Sequence, residues 1–260
     1  MIPTRPPDSR PPDTVKCYTT EHQHSRVIMA AFAEGCKGQI VPPFKLLPGM
    51  AAAFGILRGT AEIVRQCEWV RRDYFYIDHG YVTPGHYAGW YRVTKNGRQA
   101  VLPDQSEYVY PDDRLLKLKK PLRPWRRAGR HVLVIPLTGP VGEYYNIDSA
   151  RWIETVTTEI SQHTNRPIVV KVKGEGDIGD SLNDCWCVVS HSSNVAVDAL
   201  FSGVPAVVLG ESACETVSWE LADIENPWWP EREFWARALA YHQFNLDEMR
   251  DGTAWRQLNK

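Results

Sequence analysis

Apolar positions in this chain come in short runs separated by polar, Gly- and Pro-containing stretches. Residues 27–32 form an apolar run of strand type, and residues 51–57 form another, closed by Gly59. The spacing over residues 60–70 then predicts an amphipathic helix. Residues 74–78 are aromatic and β-branched and lead into Asp78-His79-Gly80, which predicts a strand running into a turn. The alternation resumes after residue 130. Strands are expected at 131–136, 167–172, 186–190 and 204–209, with a helix over 149–162. A further helix starts at a cap on Ser192 or Ser193, runs through Phe201, and is closed by Gly203 and Pro205. After Pro227 an aromatic helix is expected over 232–244, then a shorter one beginning near Asn245. Trp228, Trp229 and Trp235 read as packing residues of a C-terminal helix that folds back across the first half. Strands alternating with helices predict an α/β protein with parallel, doubly wound sheets.

Proline and charge divide the chain. Pro3, Pro6, Pro7, Pro11 and Pro12 mark residues 1–25 as a mobile leader. An α/β domain is expected over 26–125 and a second over 126–260. At 260 residues the chain has room for one to two domains. Between them, Arg114, Lys117, Lys119, Lys120, Arg123, Arg126, Arg127 and Arg130 follow one another with no acid among them. Pro121 and Pro124 oppose a regular helix there. The stretch reads equally as a solvated linker or as a linker facing a polyanion.

Composition narrows the classes. Thirty Lys and Arg against 31 Asp and Glu give a formal charge of −1, which excludes a globally basic nucleic-acid binder but not a local basic patch. The apolar run at 50–57 is far short of the roughly 18 residues of a membrane span. No apolar signal segment stands in the first 26 residues. The six cysteines match neither a zinc site nor a secreted disulfide framework, so a cytoplasmic location with reduced thiols is expected.

The segment 188–208 carries the most chemistry. It predicts a buried strand, a small polar turn, a helix and a second buried strand. The turn places Ser190, His191, Ser192, Ser193 and Asn194 at a helix N-terminus, where free N–H groups and the helix dipole attract anions. Asp198, early in the helix, is placed to reach a ribose hydroxyl. Each residue alone also reads as a cap or a dipole-compensating acid; together they point to a nucleoside diphosphate site. Thr138 and Gly139 follow the 131–136 strand and form a second loop at a strand end. Lys171 and Lys173 share one face at the end of 167–172 and are candidates to neutralise a leaving diphosphate. No Walker loop, Gly-rich dinucleotide fingerprint, nucleophile elbow or metalloprotease helix occurs. Asp177 and Asp180 have the wrong spacing for an Asp-x-Asp metal clamp, so a metal-independent reaction without a resident cofactor is expected.

Ser192, Ser193, Asp198, Gly203 and Pro205 resemble the donor-nucleotide motif of glycosyltransferases with the two-domain GT-B fold. The segments 74–81, 91–96 and 240–244 are similar to small bacteriophage glycosyltransferases, and the donor motif also to capsule-type sugar transferases. The motif more usually carries Glu where this chain has Asp198. The resemblance implies two Rossmann-like domains facing a cleft, a nucleotide-sugar donor, and a modified pyrimidine of phage DNA as acceptor, in the cytoplasm of a bacterial host. Alternatives are a glycan acceptor, as in capsule synthesis, and a non-catalytic nucleotide- or DNA-binding module of the same fold.

Sugar transfer needs a proton acceptor for the attacking hydroxyl. Asp78 and His79, at the end of a strand, are the catalytic candidates, although the same residues read as a plain turn. Arg92, Lys95, Arg123, Arg126 and Arg127 are the candidates for contacting DNA phosphates. Tyr87, Trp90 and Tyr91 are rings that would stack on a base or else belong to a buried strand.

Overall fold

The computed structural model describes residues 14–82, 88–100, 102, 108–214 and 218–259. Two sheets form. The strands are β1 (Lys16–Tyr18), β2 (Gln39–Val41), β3 (Ala51–Phe54), β4 (Tyr74–His79), β5 (Tyr91–Lys95), β6 (His131–Ile135), β7 (Ile168–Val170), β8 (Cys185–Ser190), β9 (Ala206–Val208) and β10 (Gln243–Phe244). The helices are α1 (Gln23–Cys36), α2 (Thr60–Trp69), α3 (Asp113–Leu118), α4 (Gly139–Tyr145), α5 (Ser149–His163), α6 (Ile178–Leu182), α7 (Val195–Phe201), α8 (Glu233–Ala240), α9 (Leu246–Arg250) and α10 (Thr253–Leu258).

The first sheet has the order β10-β5-β4-β3-β1-β2 and the second β7-β6-β8-β9. All pairings in the second sheet are parallel, as are those among β2, β1, β3 and β4; β5 and β10 are antiparallel. The all-parallel strands read as continuous apolar runs because helices cover both faces. Val132, Leu133 and Val134 of β6 and Val188 and Val189 of β8 are fully enclosed.

Two expectations fail for identifiable reasons, and a third, the expected fold-back of the C-terminus, holds. Residues 27–32 are helical, within α1. Ile28, Met29, Ala31, Phe32 and Ala33 are all buried because α1 lies between the first sheet and the pair α9 and α10. Arg26, Ala30 and Glu34 form the exposed stripe of this helix. Because that stripe carries alanine at position 30, residues 27–32 make a continuous apolar run that periodicity cannot tell from a strand. The leader of 1–25 gives way to packed structure by Lys16: β1 is a central strand, with Cys17 and Tyr18 fully buried. Residues 1–13 lie outside the described ones. Residues 243–258, expected with the second half, pack on the first: β10 pairs with β5, and α9 and α10 contact α1. That is the fold-back of the C-terminus onto the first sheet. Trp235 on α8 is buried between the halves and donates to the Ala213 carbonyl at 2.8 Å.

The end of α7 turns as its Gly-x-Pro sequence requires. Gly203 has φ 78°, and a side chain there would collide with the Pro124 carbonyl. The linker is therefore seated on the amino-terminal end of the second sheet. One apolar cluster, including Tyr81, Val82 and Ala100 with Leu200, Phe201 and Trp235, joins the two halves into one body.

Candidate active site

Ligands in open α/β sheets bind beyond the carboxyl ends of the strands. In the second sheet Ile135 pairs with Ser190, and Ser190 with Val208, so the loops after β6, β8 and β9 emerge side by side. A cavity of about 100 Å³ between the first two loops is lined by Ile135, Pro136, Leu137, Thr138, Val141, His191, Ser192 and Ser193. Thr138 is the N-cap of α4, and Gly139 opens onto free space. Asn194 is the N-cap of α7, and the Ser193 hydroxyl accepts the Val195 N–H at 3.2 Å. The Ser190 hydroxyl is buried and finds no partner among the described residues. The His191 ring lies where a side chain at position 210 would stand, so Gly210 is required there. Burial, and then the Arg98 cation, push His191 below its ordinary pKa, with Glu211 opposing them. Its imidazole is therefore neutral at pH 7.

Other expected donor residues stand apart from this cavity. Asp198 points to Lys120, whose Nζ donates at 3.1 Å, and burial raises its carboxyl pKa against the pull of that lysine. Lys171 Nζ donates to the Glu175 carbonyl, and Lys173 is exposed; neither lines the cavity. Their strand, β7, is separated from β8 by β6.

In the first sheet Asp78 and His79 end β4, as the turn signal implied, and lie opposite Arg92 and Tyr91 at the start of β5. The Asp78 carboxylate accepts three hydrogen bonds. Its Oδ1 accepts the His79 N–H at 2.8 Å; its Oδ2 accepts the Tyr76 hydroxyl at 2.8 Å and Arg92 Nη2 at 2.9 Å. Arg92, expected on DNA phosphates, is 7% exposed. Burial alone would lower its pKa; the Asp78 carboxylate, helped by Tyr81 and Tyr76, overrides this and holds the guanidinium above its ordinary value. A cation enclosed this way is not offered to a phosphate backbone. His79 lies in an aromatic group with His24, Phe54 and Tyr91, its ring centroid 5.3 Å from that of His24. His24, at the start of α1, is buried and bonded through Nε2 to the Tyr91 hydroxyl at 2.9 Å. Nothing local in the sequence distinguished it: its partner is 67 residues away.

The two sets of strand ends face each other through polar bridges. Arg92 Nη1 donates to Asn194 Oδ1 at 3.0 Å, tying β5 to the N-cap of α7. Arg98, after β5, is stacked on Tyr144 and Tyr145 at 4.1 and 4.7 Å, donates to the Tyr145 hydroxyl at 2.9 Å, and pairs with Glu211 after β9. Arg65 of α2 donates to the Tyr144 carbonyl at 2.7 Å. Arg98, Tyr145 and Glu211 were not foreseen; each is separated from its partner by 47 residues or more.

The remaining basic candidates are elsewhere. Lys95 Nζ donates to Asn259 Oδ1 at 2.8 Å. The Arg123 and Arg126 N–H groups bond to the Phe201 and Gly203 carbonyls, past the end of α7. Since α7 runs back from the carboxyl end of β8, Arg123, Arg126 and Arg127 sit at the amino-terminal end of the second sheet, opposite the 190–194 turn. Arg126 Nη2 is also held by the Leu182 carbonyl at 2.5 Å, and Arg127 lies over Trp229. Tyr91 is a core residue, Trp90 is half-buried, and Tyr87 is outside the described residues. No group of three or more His, Cys, Asp or Glu able to hold a metal ion occurs among the described residues. Nor is any helix among them long and apolar enough to cross a membrane.

No protein-family model matches this chain, and no curated protein does. Solved structures do. The chain is similar to Thermosulfurimonas dismutans KpsC, beta Kdo 2,4 transferase, at 13% identity and TM-score 0.54, over 90% of this chain and 92% of that one. It is similar to Thermosulfurimonas dismutans KpsC, beta Kdo 2,7 transferase, at 12% identity and TM-score 0.53, over 95% and 99%. The fold is the two-domain, GT-B-like one. Both neighbours are Kdo transferases by name, and at 12–13% identity the likeness shows the shared fold.

Proposed function

We propose that this GT-B-like protein is a glycosyltransferase that moves a sugar from a nucleotide-sugar donor to a hydroxyl of a glycan acceptor. The observation that carries the reading is the meeting of the two sets of strand ends at the Arg92–Asn194 and Arg98–Glu211 contacts, in a fold shared with two Kdo transferases over at least 90% of the chain. The donor diphosphate binds at the 190–194 turn and the Thr138-Gly139 loop, where two helix N-termini open onto the cavity between β6 and β8. His79 is the base. Asp78 already accepts three hydrogen bonds, which fits a positioning role better than proton abstraction. His24 and Tyr91 orient the His79 ring. The diphosphate is neutralised by the helix N-termini and protein cations, so the reaction proceeds without a metal. A glycan acceptor is preferred to DNA because Arg92 is internally paired and Arg123, Arg126 and Arg127 lie at the far end of the second sheet.

The test is a thermal-shift screen of nucleoside mono- and diphosphates, followed by turnover assays with the matching nucleotide sugars, with and without EDTA. The reading predicts stabilisation by one nucleotide class and EDTA-insensitive transfer. No response to any nucleotide would overturn it. Retention on duplex DNA with a steep salt dependence would return the weight to a DNA acceptor.

A further inference from the structure

A larger cavity, about 460 Å³, opens at the carboxyl ends of β1, β2 and β3, on the outer side of the first sheet. Its floor and wall are apolar: Ile40, Pro42, Pro43 and Phe44, the last with 88% of its surface exposed. Arg26, in the first turn of α1, and Arg58, in the turn after β3, enter it from two sides. Among the described residues neither guanidinium has a hydrogen-bond or ion-pair partner, unlike Arg65, Arg92, Arg98, Arg114 and Arg166. Arg58 is held in the left-handed region at φ 56°, followed by Gly59 at φ 94°. A Cβ at Gly59 would stand 3.3 Å from the Pro43 carbonyl, so the loops after β2 and β3 are packed together and the arginine is displayed from a built turn. The N-terminus of α1 adds to the positive potential: its first turn holds no acid, and the His22 cap makes no side-chain bond. Glu21 on the rim is the sole acid in the lining.

An apolar concavity of this size with a few convergent charges has the form of a ligand site. It lies two to three strands from β4, about 10–14 Å from His79 at ordinary strand spacing. That offset places its occupant beyond the reacting hydroxyl, on the acceptor. We propose that this cavity is an acceptor subsite for an oxyanion, in which Arg26 and Arg58 pair with a carboxylate or phosphate borne by the acceptor chain and Phe44 lies against a sugar face. The inference rests on the glycosyltransferase reading. It adds the acceptor's charge and two specificity-determining residues.

The experiment is ligand-observed NMR titration of the full chain with methyl β-D-glucuronide, glucose 6-phosphate and neutral methyl β-D-glucoside. At least one anionic probe should bind about tenfold or more tightly than the glucoside, through charge-assisted bonds to two arginines. Whether the carboxylate or the phosphate binds better tells which group the acceptor carries. Arg26→Ala with Arg58→Ala should abolish the preference, leaving Tm unchanged because both side chains are exposed. Equal binding of all three probes, or a preference surviving in the double variant, overturns the proposal. Nucleotide binding is measured on the same samples. Nucleotide bound without anion preference sinks the subsite alone; anion preference without nucleotide binding sinks the transferase reading instead.

Discussion

Replacing Arg92 by methionine removes the cation that ties β4, β5 and the α7 cap together. Arg92 is 7% exposed, and the Asp78 side chain 25%. Removing one partner of a buried pair costs roughly 3–5 kcal/mol, since the other charge is left without compensation. Arg92→Met leaves a carboxylate that still reaches water and keeps its Tyr76 and His79 N–H donors. Its cost therefore belongs near the low end, about 3 kcal/mol. Asp78→Asn strands a guanidinium enclosed by the Tyr76 and Tyr81 rings at 5.6 and 5.2 Å and belongs near the high end, about 5 kcal/mol. For a chain of this length, 3 kcal/mol corresponds to a fall in Tm of roughly 6–12 °C. The two substitutions share one contact, so the double variant should lose at least about 1.5 kcal/mol less than the sum of the singles. Urea unfolding of the four proteins closes the cycle. Additivity within about 0.5 kcal/mol, or single losses below about 1 kcal/mol, would refute the account of Arg92 as the buried link between the halves.

His79→Ala should lower kcat by roughly a hundredfold with donor affinity little changed, read in single-turnover assays; a near-wild-type rate places the base elsewhere. Ser193→Ala combined with Thr138→Ala, both in the cavity lining, should weaken nucleotide binding by about tenfold or more in calorimetry, and an unchanged Kd removes this cavity as the donor site. Burial pushes His242 down to about 4, with a hydrogen bond at the Val93 backbone opposing it. Between pH 6.5 and 4 the unfolded chain then binds the proton and the folded one does not. Stability falls with falling pH across that window, by up to about 3 kcal/mol, and His242→Gln should flatten this part of the profile.

What the sequence could reveal depended on how far each signal travels along the chain. Residues 60–70, 131–136 and 149–162 were readable because their periodicity lies inside one window. So was the 190–194 turn, where strand, polar residues, helix and Gly-x-Pro stand in one stretch. β1 was not: three residues, Lys16–Tyr18, hold too few alternations to form a pattern, and their burial comes from strands up to 35 positions on. α1 was misread because its exposed stripe carries Ala30 between Arg26 and Glu34, so no polar position interrupts residues 27–32 within one window.

The charges followed the same logic, with a consequence for the chemistry. A run of eight cations is conspicuous in sequence, yet sequence does not say which end of a sheet it reaches. The linker's seat on Gly203 puts Arg123, Arg126 and Arg127 away from the cleft. Arg92, one cation among many, bonds directly to the donor turn, through an Asn194 that is 102 residues distant. That same contact changes the reading of the strand end beside it. With Arg92, Tyr76 and a backbone N–H on its oxygens, the Asp78 carboxylate has little capacity left to accept a proton from an incoming hydroxyl. Its role becomes the placement of Arg92, and through Arg92 of Asn194 at the mouth of the donor turn. On the glycosyltransferase reading proposed above, the proton acceptor is then its neighbour: His79 carries its imidazole on the opposite side of the strand, where His24, Phe54 and Tyr91 gather around it. The alternation of side chains along β4 thus separates the two duties that the adjacent letters Asp-His left undivided.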